Sequence, residues 1–132
     1  MRIYVDTSAF LAVLNADDEN HERARRVWTD LLTGQTPLVC SSSVLVETYA
    51  LVQSRLGMEA MRAFHEDIFP LLRVEWVDHD LHLRAAAALI TAGRRSLSLV
   101  DCTSFEIMRQ LGIRRVFAFD AHFREQGFDC LP

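Results

Sequence analysis

Hydrophobic positions along the chain fall into two rhythms. Ile3-Tyr4-Val5, Pro37-Leu38-Val39-Cys40, Val74-Glu75-Trp76-Val77 and Val116-Phe117-Ala118-Phe119 are short, mostly apolar runs without strict alternation. Strands of that kind are covered on both faces, as in a parallel sheet. A last edge strand is expected near Phe128-Asp129-Cys130. Between the runs, apolar residues recur at helical spacing. Phe10, Leu11, Val13 and Leu14 predict a short helix from Ser8 to Ala16. Ala24, Val27, Trp28, Leu31 and Leu32 mark a second helix, with an acidic start at Asp17-Asp18-Glu19 and a stop at Gly34. A helix from about Val44 to Leu56 is apolar on nearly every side, which predicts a central position. Met58, Met61, Phe64, Ile68 and Leu71 form a further stripe, disturbed at Pro70. His79 to Ala92 is a helix whose Ala85–Ala88 run permits close approach of a neighbour, and Leu99 to Leu111 is the last long one.

Strands alternating with helices predict an α/β fold, a three-layer α/β/α sandwich with a central parallel sheet. No linker, repeat or low-complexity segment interrupts residues 1–132, so a single domain is expected. A chain of this length buries about two-thirds of its unfolded surface.

Composition narrows the chemistry. No apolar run approaches the ~20 residues of a membrane span, and the N-terminal segment lacks the layout of an export signal. The expectation is a cytoplasmic protein with no membrane role. Cys40, Cys102 and Cys130 stand singly, without the spacing of a zinc site, and read as reduced thiols. The net charge of −4 leaves any grip on nucleic acid to local cations. All 14 basic residues are Arg. The absence of lysine excludes P-loop nucleotide binding and Schiff-base chemistry.

Candidate chemistry lies in the acids. Asp6 ends the first strand, Glu47 lies in the apolar run of the third helix, Asp101 is in the first turn of the last long helix, and Asp120 ends the most apolar strand. Each has a structural role open to it: Asp6 and Asp120 as helix caps, Asp101 in a capping box with Ser98, Glu47 as a satisfied structural acid. Those roles do not explain four acids at equivalent places. In a doubly wound sheet, strand ends and first helical turns meet at the carboxyl edge. Carboxylates gathered there need a compensating cation. Oxygen ligands without a His or Cys cluster suit Mg²⁺ or Mn²⁺, which can activate water for attack on a phosphodiester.

Val5-Asp6-Thr7-Ser8-Ala9-Phe10, Val46-Glu47-Thr48, Ser96 through Phe105, and Phe117-Ala118-Phe119-Asp120-Ala121-His122-Phe123 together resemble the PIN domain. The resemblance extends to the VapC-type ribonuclease toxins of toxin–antitoxin pairs. It implies a divalent-metal endoribonuclease, a homodimer, and inhibition by a small DNA-binding antitoxin. It also implies Asp6 and Asp101 as principal metal ligands, with Glu47 and Asp120 completing the catalytic set and Thr7, Ser8 and Ser98 supporting it. Many members carry a further acid where this chain has His122, which the resemblance makes a supporting or surface residue. Arg94 and Arg95, just before the Ser96–Asp101 segment, are the leading candidate RNA contacts, ahead of Arg114, Arg115 and Arg124; a solvated helix end is the alternative role of Arg94 and Arg95.

Two phosphotransfer folds that also begin with a strand and Asp are disfavoured. A haloacid-dehalogenase-like phosphatase needs a second Asp where this chain has Ser8, and a response-regulator receiver needs a lysine. A PIN nuclease that processes RNA without an antitoxin, and a non-catalytic binding module, remain as alternative functions.

Overall fold

The first strand, β1 (Ile3–Val5), is buried at all three residues and lies at the centre of a five-stranded sheet. This computed structural model describes residues 1–132. After β1 come α1 (Thr7–Leu14), α2 (His21–Thr33), β2 (Leu38–Ser41), α3 (Ser42–Leu56), α4 (Met58–Ala63), β3 (Leu72–Glu75), α5 (His79–Ala92), α6 (Leu99–Leu111), β4 (Arg115–Phe117), α7 (Ala121–Glu125) and β5 (Asp129–Leu131). The sheet order is β3-β2-β1-β4-β5, parallel throughout. Tyr4 is paired with Val39 on one side and Val116 on the other. Helices flank the sheet, giving the α/β/α layering.

The strand order carries the functional geometry. From β1 the chain moves outward through β2 to β3, then returns to place β4 on the other side of β1. The order therefore reverses between β1 and β4, and a crevice opens beyond the carboxyl ends at such a switch point. Asp6 follows β1 directly, and Asp120 lies just past β4.

The core is continuous, from Ile3, Tyr4 and Val5 through Phe10, Phe64, Phe105 and Met108 to Phe117 and Phe123. A buried hydrogen bond crosses it: the Tyr4 hydroxyl and Ser104 Oγ are 2.7 Å apart. That bond fixes α6 against β1, and so Asp101 relative to Asp6. Thr48 Oγ1 donates to Thr7 Oγ1 at 3.4 Å and ties α3 to α1.

Three expectations are corrected. Helix α3 is not enclosed: Val44, Leu45, Thr48 and Val52 are buried, but Val46 is 69% exposed. Its apolar residues serve a core face and a surface at once. The stripe from Met58 to Leu71 is not one helix. It passes from α4 through a π-helical stretch at Phe64–Ile68 to a 3₁₀ turn at Phe69–Leu71. The widened stretch buries both Phe64 and Ile68, with Phe64 edge-on to Phe10 and Tyr49. Finally, β3 starts two residues early, because Leu72 pairs with Leu38, and it ends before Trp76, which is 71% exposed.

Candidate active site

Asp6 is held by its own loop. Ser8 donates to Asp6 Oδ2 twice, from its backbone N–H at 3.1 Å and from Oγ at 2.6 Å. Ser8 Oγ in turn accepts from the backbone N–H of Phe119 at 3.0 Å. One hydroxyl thus joins the end of β1 to the segment that delivers Asp120. Asp6 is 4% exposed. Burial raises its pKa to about 6; the Ser8 bonds oppose the rise, and the negative charges of Asp101 and Asp120 add to it.

Asp101 reaches the same edge from the start of α6. It forms a reciprocal capping box with Ser98: the Asp101 N–H donates to Ser98 Oγ at 3.0 Å, and the Ser98 N–H donates to Asp101 Oδ2 at 3.2 Å. The cap and the inward-facing acid are the same group. Burial raises the Asp101 pKa, and Asp120 reinforces the rise. Asp120 caps α7 by accepting from the His122 N–H at 2.9 Å.

Asp101, Asp120 and His122 each bring one potential ligand atom within 4.8 Å of the others. Asp6 lies outside that tightest group but feels the charges of Asp101 and Asp120. The donor chemistry fits a divalent cation: Asp101 and Asp120 bring carboxylate oxygens together with a His122 nitrogen, and burial, reinforced by neighbouring negative charge, raises the pKa of Asp6 and Asp101. The carboxylate majority favours Mg²⁺ or Mn²⁺ over softer metals.

His122, expected as a supporting or surface residue, stands beside Asp101 and Asp120. Its Nε2 lies 3.1 Å from the Ser96 carbonyl oxygen, and Nδ1 lies 3.5 Å from Glu125 Oε2. The legible signal was position: two residues after a capping Asp, a side chain belongs to the same first turn. Glu47 is less engaged. It is half-buried on α3 with no ion pair or hydrogen bond, and it does not join the cluster of Asp101, Asp120 and His122. Its neighbour Thr48 does contact Thr7, so this turn of α3 lies beside the Asp6 loop. Arg94 is committed elsewhere, donating to Glu125 Oε2 at 2.8 Å and holding that carboxyl below its ordinary range. Arg95 is exposed. The three cysteines are unpaired.

The sequence profile of the PIN domain matches residues 3–129. The chain belongs to the PIN-domain family. Among curated proteins, the 23S rRNA-specific endonuclease VapC20 of Mycobacterium tuberculosis is 39% identical over 128 residues, covering 96% of this chain and 95% of that one. The crystal structure of that protein, described as a Sarcin-Ricin loop cleaving toxin, superposes with a TM-score of 0.84 at 37% identity over 96% of this chain and 95% of its own. FitAcB from Neisseria gonorrhoeae superposes at 0.71 with 16% identity, covering 100% of this chain and 97% of that one, which is a likeness of fold. Within the PIN family this chain is a VapC-type ribonuclease. No helix is long and apolar enough to cross a membrane.

Proposed function

We propose that this PIN ribonuclease is the toxin of a toxin–antitoxin pair and cuts a structured loop of large-subunit ribosomal RNA. The observation that carries the catalytic reading is the convergence of Asp6, Asp101 and Asp120 at the switch point between β1 and β4. The similarity to VapC20 over nearly the whole chain supports the substrate class.

Asp101 and Asp120 would hold the divalent cation, with Asp6 completing the charge and Glu47 approaching from α3. When bound, the cation supplies Lewis-acid polarisation of the phosphodiester and lowers the pKa of the attacking water. The chain's own residues set the geometry. Ser8 fixes the Asp6 carboxylate through Oδ2 and leaves its other oxygen free. Ser98 does the same for Asp101. Thr7 is buried against Thr48 and holds the Asp6 loop to α3. His122 sits between the Ser96 carbonyl and Glu125, where it offers a nitrogen to the cluster.

Protein partners fit a separate face. Exposed Val46 and Trp76, with Leu45, Tyr49, Met61 and Phe69, line an apolar cavity of about 440 Å³. An apolar patch of this kind supports association with protein, here the homodimer, with a small antitoxin as the inhibitory partner. A cytoplasmic location is part of the same reading.

The test is cleavage of a large-subunit rRNA fragment by the purified chain in Mg²⁺ or Mn²⁺, beside Asp6→Asn and Asp101→Asn. Loss of cutting in both variants and in EDTA is expected; variants that cut as well as the parent would overturn the site. Growth arrest on expression without an antitoxin is the expected cellular result, and unimpaired growth would favour an RNA-processing role.

A further inference from the structure

The acid cluster creates a problem for its own substrate. RNA arrives as a polyanion at a site of clustered carboxylates, on a chain whose net charge is −4, so the backbone must be gripped by cations beside the site. Arg94, two residues before the Ser96–Asp101 segment, is closed off by its ion pair with Glu125, and Arg95 beside it is exposed. Arg73 and Arg84 are 3.9 Å from Glu75 and Glu106. Uncommitted cations are therefore the ones to look for at the carboxyl edge.

Two meet there across a cavity of about 170 Å³ that shares Asp120 with the acid site. Arg23, from the first turn of α2, and Arg124, from α7, both line it. Neither has a carboxylate within ion-pair distance. Phe119, next to Asp120 in the chain, also lines the cavity, with the Arg23 guanidinium 5.6 Å from its ring centroid. Asn20 Oδ1 accepts from the same guanidinium. Arg23 is thus held by an aromatic face and an amide rather than neutralised. The remaining lining is small or apolar: Ala118, Ala121, Cys130 and Pro132.

We infer that this cavity seats an RNA phosphate next to the one that is cut, with the Arg23 and Arg124 guanidiniums as its ligands. The inference rests on the proposed nuclease reading and adds a direction to it. The bound strand would run from the cluster of Asp101, Asp120 and His122 past Phe119 and towards the C-terminal strand. Asp120 repels a phosphate oxygen from the cavity's metal end, and so sets the phosphate against the arginine side. Guanidiniums suit the task because their planar donors pair with phosphate oxygens.

Anisotropy of a fluorescein-labelled RNA hairpin, titrated with the intact protein in EDTA over a range of KCl, reads grip without cleavage. Arg23→Ala and Arg124→Ala are each expected to weaken binding about tenfold. Because both arginines serve one phosphate, the double variant should lower the slope of log affinity against log salt by about 0.7, not twice that. Arg23→Lys should keep the slope and lose only part of the affinity, and Arg55→Ala, at an exposed position in the last turn of α3, should stay within about twofold of the parent. In steady-state cleavage with metal, KM should rise while kcat holds. Unchanged affinity and slope in the alanine variants, or a fall in kcat at constant KM, would overturn the assignment. Continued cutting by Asp101→Asn would sink the catalytic reading but leave the metal-free binding result standing.

Discussion

Asp6 serves as helix cap, hydrogen-bond acceptor and buried charge at one carboxyl group. Its folded pKa of about 6 lies above the unfolded value near 3.8. Between those values the folded protein keeps a proton that the unfolded chain has already released. Stability of the metal-free protein therefore falls as pH rises through that window, and the loss is complete above it. The shift corresponds to roughly 2–3 kcal/mol. Urea unfolding of the metal-free chain at pH 4.5 and 7 should show that sense of change, and added Mn²⁺ should recover stability at pH 7 but not at 4.5. In Asp6→Asn the step should shrink to the part that the raised pKa of Asp101 contributes, and the metal-free protein should gain stability at pH 7, although cutting is lost. Ser8 is the second residue to test. Ser8→Ala removes the 2.6 Å bond to Asp6 and the acceptor for the Phe119 N–H. An expected fall of about tenfold in kcat, with KM unchanged, is measured on the same RNA.

Elements show why acids in capping positions are informative and ambiguous together. At the start of α6 the spacing Ser98-x-x-Asp101 is a capping box in sequence and in structure. Ser98→Ala should cost about 1 kcal/mol in urea unfolding. It should also reduce cleavage, because Asp101 loses the donor that fixes its Oδ2. Helix α6 was legible from its apolar spacing, and its stop from Gly112, which takes a left-handed φ of 69°. What could not be read was depth. Helix α3 is apolar in composition, yet it puts Val46 outside, because helical periodicity says which residues share a face and not whether that face meets a neighbour. The π-helical stretch at Phe64–Ile68 was hidden for a related reason: tertiary packing of Phe64 against Phe10 and Tyr49 overrides the local period. The acids at strand ends were found because strand-to-helix transitions fix a residue's place at the sheet edge. Arg23 was missed because its partner across the cavity lies a hundred residues further along the chain.

In the whole molecule, the site depends on pairings far apart in sequence. Asp6 and Asp120 become neighbours only when β4 is laid beside β1, and Asp101 is set by the buried Tyr4–Ser104 bond, which spans 100 positions. Tyr4→Phe leaves Ser104 without that partner, and a loss of about 1–2 kcal/mol is expected in urea unfolding. A fall in cleavage beyond what that destabilisation explains would show the bond also positions Asp101. The alternation of strands and helices made the parallel sheet readable in advance, whereas the order β3-β2-β1-β4-β5 was not, since nothing local says on which side of β1 the fourth strand will land. That order has a consequence for a toxic enzyme during its own synthesis. A ribosome making this chain releases Asp6 early, but no length of polypeptide lacking β4 carries a cutting centre. The nascent chain has no cutting centre until nearly all of its strands have emerged and the slow, non-local closure of β4 onto β1 is complete.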